Sequence, residues 1–244
     1  MRLIRAGDYK EMSLKAAQII AAAITMKPDS TLGLATGGTP LGIYEYLAGW
    51  HARGHLDFSR VSAINLDEYK GLAPDAEQSY CYFMRKNLFQ KINIKPENLH
   101  IPDGLAGDPA KECARYDAVI DSYGGADVQL LGIGNNGHIG FNEPGGEFVK
   151  TTHLVTLSES TIDANSRFFE RRGDVPVQAY TMGIGSIMRA RMILLAVSGE
   201  GKADILRRAL TGGVAPSVPA SILQFHNNLT VVGDEAALSM LKDL

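Results

Sequence analysis

The sequence predicts an α/β fold, with a mostly parallel, doubly wound sheet and helices on both faces. Short apolar or β-branched segments alternate with amphipathic segments of helical length from one end of the chain to the other. No repeat, low-complexity tract or Pro/Ser-rich linker divides the 244 residues, and one α/β domain often reaches ~250 residues. We therefore expect a single Rossmann-like domain that spans 1–244.

The predicted strands and helices follow one another in chain order. Asp8 and Glu11 have the spacing of a capping box at the start of a helix that runs to Ile24, and Pro40 suits the first turn of the next helix. Further helices are expected at 78–90, 109–122, 183–189, 201–210 and 234–241, where amphipathic segments of helical length occur. Strands are expected at 3–4, 31–35, 61–66, 128–133, 153–157, 192–197 and 229–232.

The composition excludes several classes of partner. The formal net charge is −3 and no block of basic residues is present, so nucleic-acid and anionic-membrane partners gain no support. No apolar run reaches the ~18 residues of a membrane span. The N-terminus lacks the apolar stretch of a signal peptide, and Cys81 and Cys113 form no CxxC pair. We expect a cytoplasmic protein with reduced thiols.

Polar clusters follow directly after four of the predicted strands. They lie at 36–39, 67–69, 135–143 and 198–202. Ligands of open α/β sheets bind beyond the carboxyl ends of the strands. We therefore expect the four clusters to converge on one edge of the sheet, whereas Trp50 and the aromatic residues of 80–89 are expected in the core.

Two glycine-containing turns are candidate anion sites. Thr36, Gly37, Gly38 and Thr39 join a strand to a helix, where hydroxyls and free N–H groups suit a phosphate. Lys202 opens a later helix after a similar turn and could reach the anion as a point charge. The alternatives are a tight turn capped by threonine and a solvated surface lysine. The spacing excludes a Walker A loop.

Two further positions carry charged candidates. Asp67 ends a predicted strand and could serve as a general base, although the adjacent Glu68 is barely distinguishable from it. Either acid could instead cap a helix or face solvent. Arg167 could donate two hydrogen bonds to a phosphate, or it could lie on the surface of an amphipathic helix.

The most informative segment is the glycine-rich loop 132–144. Gly132, Gly134 and Gly137 match a dinucleotide-binding fingerprint, and Glu159 follows near the spacing of a ribose-binding acid. A helix must begin near the third glycine of that fingerprint, and the glycines and proline of 140–146 oppose one. Nicotinamide or flavin binding is therefore not expected.

His138 is the candidate for proton transfer in this loop. It has no nearby cysteine and no HxxxH or HxxE spacing, so no metal site is predicted. Glu143 lies five residues further on and could orient and tune the imidazole. The alternative is a structural histidine.

Taken together, five segments resemble glucosamine-6-phosphate deaminases. They are 34–40, 65–69, 132–144, 165–169 and 198–203, and their order covers essentially the whole chain. The resemblance implies conversion of glucosamine 6-phosphate and water to fructose 6-phosphate and ammonia, in amino-sugar catabolism. It implies neither a metal nor an organic cofactor.

The resemblance also implies roles for individual residues. His138 moves a proton during opening of the sugar ring, Glu143 orients it, and Asp67 takes the proton from C2. The phosphate is held by the turn 36–39 together with Arg167 and Lys202.

The chain departs from many such relatives at informative positions. Asn136 stands where they have Asp; it can orient the imidazole or the substrate by hydrogen bonding but supplies no negative charge. Relatives activated by N-acetylglucosamine 6-phosphate have Ser, Arg and Lys where this chain has Gly146, His153 and Val155, and they have a longer tail than one that ends at Leu244. We expect no such activation, and a monomer or small homo-oligomer.

Alternative functions share parts of this pattern. A 6-phosphogluconolactonase-like hydrolase or another sugar-phosphate isomerase is the nearest, since the lactonases share the fold and a looser glycine-rich turn. A sugar-sensing domain of a transcription regulator would need a DNA-binding segment, and no basic patch suggests one.

The segment 153–182 could form a lid over the sugar.

Overall fold

The computed structural model describes residues 1–241 of the chain, which form a large parallel sheet, a small antiparallel sheet and the helices around them. The strands are β1 (Arg2–Ala6), β2 (Thr31–Leu34), β3 (Ser62–Asn65), β4 (Asp67–Tyr69), β5 (Leu99–His100), β6 (Val128–Leu131), β7 (His153–Thr156), β8 (Gln178–Thr181), β9 (Met192–Val197) and β10 (Leu229–Asp234). The α-helices are α1 (Tyr9–Met26), α2 (Leu41–Ala52), α3 (Tyr80–Asn87), α4 (Pro109–Ser122), α5 (Glu159–Asn165), α6 (Ile184–Met188) and α7 (Ala203–Thr211). Short 3₁₀ helices lie at Phe89–Lys91, Pro96–Asn98, Ser166–Phe168, Arg172–Asp174, Glu200–Lys202 and Pro219–Phe225.

The central sheet has seven strands in the order β1-β10-β9-β6-β2-β3-β5, and every neighbouring pair is parallel. Its five inner strands are buried along almost their whole length, as expected of a parallel sheet with both faces covered, whereas the edge strands β1 and β5 are only partly buried. The predicted α/β fold class is therefore confirmed. In the described part of the chain, every helix is too short or too polar to cross a bilayer.

The strand order places a topological switch point between β2 and β6. From β2 the chain continues outward to β3 and β5, whereas from β6 it eventually continues to β9 on the other side. The loops beyond these two strands therefore diverge and leave a crevice at their carboxyl ends, where doubly wound proteins bind ligands.

The second sheet was not predicted. It is antiparallel, with the order β4-β8-β7, and it pairs Asp67 with Thr181 across more than a hundred residues of chain. The segment 67–69 was predicted only as a polar cluster, because Asp-Glu-Tyr has neither the alternation nor the β-branched residues typical of strands. All three of its residues are buried.

The helices α1, α2, α3, α4, α6 and α7 were predicted and α5 was not, and three details of the predictions differ from the structure. The side chain of Asp8 caps α1 by accepting the N–H of Glu11 at 2.7 Å, although Glu11 accepts from Gly7 and not from Asp8. Pro40 precedes α2 and does not lie in its first turn. The predicted last helix is wrong: β10 extends to Asp234, and 235–240 form turns in which the Asp234 carboxylate accepts the Ala237 N–H at 2.8 Å.

Candidate active site

A cavity of about 460 Å³ opens at the carboxyl edge of the central sheet. The four polar clusters predicted to converge follow four adjacent strands, β9, β6, β2 and β3, and all four contribute to its wall. The sequence-predicted side chains or backbones that line it are Thr36, Gly37, Gly38, Thr39, Asp67, His138, Arg167 and Lys202. Asn136 and Glu143 do not line the cavity and instead lie behind His138.

Asp67 is a buried carboxyl group on the cavity wall. It is 5% exposed, and its Oδ1 has no hydrogen-bond partner among residues 1–241. Burial, and then the charge of the neighbouring Glu68, raises the pKa of Asp67 well above its ordinary value. A carboxylate of high pKa is a strong base for its type, so the position and the environment both suit proton abstraction.

Glu68 has a different environment, which sequence could not distinguish from that of Asp67. It is buried, and it accepts the backbone N–H groups of Tyr69, Tyr80 and Cys81 at 2.8–2.9 Å. It therefore anchors the N-terminal turn of α3 to β4. Burial raises the pKa of Glu68 to about 7, although these three hydrogen bonds oppose the rise.

His138 occupies a space that the glycine loop leaves open. The N–H of Gly134 donates to the His138 carbonyl at 2.9 Å, which closes the loop beneath the ring. A Cβ atom on Gly134 would lie 2.3 Å from the imidazole, so only glycine permits the ring to lie there. The His138 side chain is 19% exposed and faces the cavity.

Glu143 stands behind the imidazole as its charged neighbour. The distance from Glu143 Oε2 to His138 Nδ1 is 3.8 Å, which is an ion-pair distance and too long for a hydrogen bond. Burial alone would raise the pKa of Glu143, but His138, the Thr161 hydroxyl and the Asn136 amide outweigh it and lower that pKa to about 2. Glu143 is therefore ionised at neutral pH and can only accept hydrogen bonds.

Asn136 acts on this pair from behind and makes no hydrogen bond to the imidazole. Its Nδ2 donates to Glu143 Oε2 at 2.7 Å, and its Oδ1 accepts the backbone N–H of His138 at 3.1 Å. Of the two hydrogen bonds expected of Asn136, to the ring or to the substrate, the one to the ring is not formed. The amide instead holds the carboxylate and the loop backbone.

Two cations, Arg167 and Lys202, also line the cavity. Lys202 Nζ donates to the Ile133 carbonyl at 2.8 Å and to Asn135 Oδ1 at 2.5 Å. Burial, and then the positive charge of Arg167, lowers the pKa of Lys202 to about 8. Within residues 1–241 no carboxylate lies within ion-pair distance of either cation. Two neighbouring cations without a carboxylate are suited to an anionic ligand.

The turn after β2 faces the same space. Gly37 has φ +100°, a conformation that side-chain-bearing residues rarely adopt, and a Cβ on Gly37 or Gly38 would meet no atom within 4 Å. The backbone of the turn is thus open to the cavity at the start of α2, where free N–H groups bind anions. Tyr9 supports the turn from outside, because its hydroxyl lies within donating distance of the Gly38 and Thr39 carbonyls, at 3.1 and 3.2 Å, and accepts the Gly42 N–H of α2 at 2.8 Å.

Several residues of the wall were missed by the sequence analysis. Tyr80 was expected in the core, but it lines the cavity, where its ring stacks on Phe141 at 5.8 Å and 12°. Arg167, which was predicted as a candidate phosphate ligand, lies in the 3₁₀ helix after α5, and the alternative position on an amphipathic helix is not observed. Ser158 and Thr161, at the start of α5, contact the His138–Glu143 pair. Their Ser-x-x-Thr spacing is a helix-start signal that could have located α5, but not its contact with His138.

Comparison with known proteins extends over nearly the whole chain. A family model described as glucosamine-6-phosphate isomerases/6-phosphogluconolactonase matches residues 9–232. The glucosamine-6-phosphate deaminase of Lachnoclostridium phytofermentans is 58% identical over 232 residues, which are 95% of this chain and 98% of the relative.

Solved structures resemble the fold to different degrees. A monomeric glucosamine-6-phosphate deaminase superposes with a TM-score of 0.96 at 47% identity, and the match covers 98% of this chain and 100% of that one. The 6-phosphogluconolactonase of Trypanosoma cruzi superposes with a TM-score of 0.79 at 19% identity, with 99% and 97% coverage, and therefore shares the fold alone. The chain belongs to the family of glucosamine-6-phosphate isomerases and 6-phosphogluconolactonases.

Proposed function

We propose that this protein converts glucosamine 6-phosphate and water to fructose 6-phosphate and ammonia. The observation that carries the proposal is one cavity lined by a buried carboxyl group, by an imidazole with a carboxylate behind it, and by two cations that have no carboxylate partner among residues 1–241. The identity to named deaminases over 95% of the chain supports the same reaction. Each part of the cavity has a task in this chemistry.

Ring opening is the first step. The cyclic sugar must lose the proton of its O1 hydroxyl and gain one at O5, so that the C1–O5 bond breaks and an aldehyde forms. His138 faces the cavity and is the group that takes the first proton and delivers the second. Glu143, held by Asn136, stabilises the imidazolium that exists between the two transfers.

Enolisation follows in the open-chain form. Asp67 removes the proton from C2, the electron pair forms the C1–C2 double bond, and the aldehyde oxygen takes a proton from the C2 ammonium group to become the hydroxyl of an enol. Return of a proton to C1 moves the double bond to C2 and nitrogen, which gives an iminium ion. Addition of water at C2 and loss of ammonia leave the ketone of fructose 6-phosphate, so the atoms of the overall reaction balance.

The phosphate would lie between the turn 36–39 and the two cations. Arg167 can donate two hydrogen bonds from its planar guanidinium, while Lys202 supplies a compact charge. On binding, Lys202 would exchange its contact with Asn135 for the phosphate oxygens. Anchoring at this end would set the distance of C1 and C2 from His138 and Asp67.

The proposal also includes the oligomeric state of the protein, its cellular location and a mobile segment. We propose a monomer or small homo-oligomer, which the likeness to a monomeric deaminase supports. We propose the cytoplasm as its location, because a phosphorylated sugar does not cross a bilayer unaided. The segment 153–182, which carries Arg167, is proposed as a lid; protease sensitivity there should fall when the substrate or a product is bound.

The decisive experiment measures the products of the purified protein. Glucosamine 6-phosphate should yield ammonia and fructose 6-phosphate in equal amounts. A parallel assay offers 6-phosphogluconolactone, whose hydrolysis should not exceed the spontaneous rate. Absence of ammonia with the aminosugar, or hydrolysis of the lactone in its place, would overturn the proposed function.

A further inference from the structure

The N-terminal turn of α5 reaches the imidazole more closely than Glu143 does. Thr161 Oγ1 lies 3.4 Å from His138 Nδ1, compared with 3.8 Å for Glu143 Oε2. Thr161 is 3% exposed and lines the cavity. Its hydroxyl therefore approaches the same ring nitrogen, Nδ1, that Glu143 approaches.

The donors and acceptors around this hydroxyl favour one arrangement. The ionised Glu143 can only accept, and a hydrogen bond from the Thr161 side chain contributes to its lowered pKa. With its single proton directed to Glu143, the Thr161 hydroxyl meets His138 Nδ1 as an acceptor. The Ser158 hydroxyl lies 3.1 Å from Glu143 Oε2 and 3.0 Å from Thr161 Oγ1, and it can donate its one proton to either.

The consequence of this arrangement is a defined tautomer of the imidazole. With its proton on Nδ1, His138 presents an unprotonated Nε2, the form that can accept a proton from a sugar hydroxyl. No residue in 1–241 forms a hydrogen bond with His138 Nε2. A ring held in the wrong tautomer loses most of its catalytic power even when its position is unchanged.

We propose that Thr161 is a positioning residue for ring opening: its hydroxyl bridges His138 and Glu143 and holds the histidine with Nε2 free toward the substrate. The inference rests on the proposed function. Ser158, the N-cap of α5, both caps the helix and lies next to this bridge. The segment that carries Arg167 therefore contacts His138 through the first turn of α5.

The test compares Thr161→Val, which removes the hydroxyl at nearly constant volume, with Thr161→Ser, which retains it. We expect the valine variant to lose about tenfold or more in kcat, because orientation of a catalytic histidine is worth at least that much. KM should stay within about twofold, and the serine variant should recover most of kcat. Binding of the acyclic analogue 2-amino-2-deoxyglucitol 6-phosphate should be unchanged, since it needs no ring opening.

Two further variants keep the inference falsifiable. Ser158→Gly preserves an acceptable N-cap but removes the supporting hydroxyl, and it should lower kcat in the same direction if Thr161→Val does not fold. Ser160→Ala is the matched control: the exposed Ser160 hydroxyl contacts Ser158 at 3.0 Å but is bonded to neither His138 nor Glu143. Its kcat should stay within about twofold of the wild-type value.

The possible results distinguish failure of the proposed function from failure of the positioning role of Thr161. If the wild-type protein releases no ammonia, the proposed function fails. If it is active and the valine variant retains more than about half of kcat, or if serine restores nothing, the positioning role of Thr161 fails and the proposed function stands. If the valine variant loses affinity for the acyclic analogue by the same factor as it loses kcat, the positioning role of Thr161 also fails. The substitution would then have disturbed the whole cavity and not ring opening alone.

Discussion

Replacing Asp67 by asparagine should remove activity and make the protein more stable. The substitution preserves the shape of the side chain and deletes its capacity to accept a proton. A positioned general base contributes about 10²–10⁴-fold to the rate, so kcat for ammonia release should fall by that factor. This corresponds to about 3–5.5 kcal/mol of transition-state stabilisation.

The expected gain in stability follows from the burial of this carboxyl. Asp67 is 5% exposed, one of its oxygens lacks a partner in 1–241, and Glu68 adds a neighbouring negative charge. A buried group without its partner costs about 1–3 kcal/mol, and more when charged. In a chain of this length each kcal/mol shifts Tm by about 2–4 °C, so the variant should melt several degrees higher at pH 8.

The pH dependence of that gain has a definite sign. The pKa of Asp67 is raised in the folded protein above its ordinary 3.8. Stability is therefore lost as pH rises above about 3.8, the loss is complete above the folded-state pKa, and it disappears below about 3.8, where the group is protonated in both states. The Tm difference between the variant and the wild type should be largest at pH 8 and close as pH approaches 4.

The measurements are steady-state ammonia release and thermal unfolding by circular dichroism between pH 4 and 8. Asp127→Asn is the control, because that mostly buried acid binds Lys27 at 2.7 Å and the Thr31 N–H at 2.8 Å, far from the cavity wall. It should lower Tm and leave kcat within about twofold. Retention of more than about a tenth of kcat in Asp67→Asn would refute its role as the base.

Three other predictions test the cavity. Gly134→Ala should lower kcat by about tenfold or more at nearly unchanged Tm. The new Cβ would lie 2.3 Å from the His138 ring and would displace it. A normal kcat in this variant would show that the position of the ring is unimportant. The inhibition constant of inorganic phosphate should rise as pH exceeds about 8, because Lys202 then loses its charge, and Lys202→Arg should remove this alkaline dependence. Substrate saturation should be hyperbolic and insensitive to N-acetylglucosamine 6-phosphate; sigmoidal kinetics relieved by that compound would contradict the inference from Gly146, His153 and Val155.

Much of the fold could be predicted because its signals are local. The strands β2, β3, β6 and β9 are apolar runs with polar residues directly after them, and parallel strands bring such residues to one edge. The small antiparallel sheet could not be predicted, since Asp-Glu-Tyr becomes a strand only by pairing with β8. The turn at 235–240 was mistaken for a helix because its apolar spacing suits both.

The sequence by itself determined the fold class, the reaction family and the convergence of Asp67, His138 and Lys202. These residues follow parallel strands, and the carboxyl ends of such strands meet at one edge of the sheet however the side chains pack. Only the tertiary structure decided what each group experiences. It separated Asp67, which faces the cavity, from Glu68, which anchors α3 through three backbone N–H groups. It also placed Thr161 against an imidazole 23 residues away. The pKa of a carboxyl group and the tautomer of an imidazole depend on burial and on hydrogen bonds from residues distant in the chain. The local spacing of residues in the sequence encodes neither.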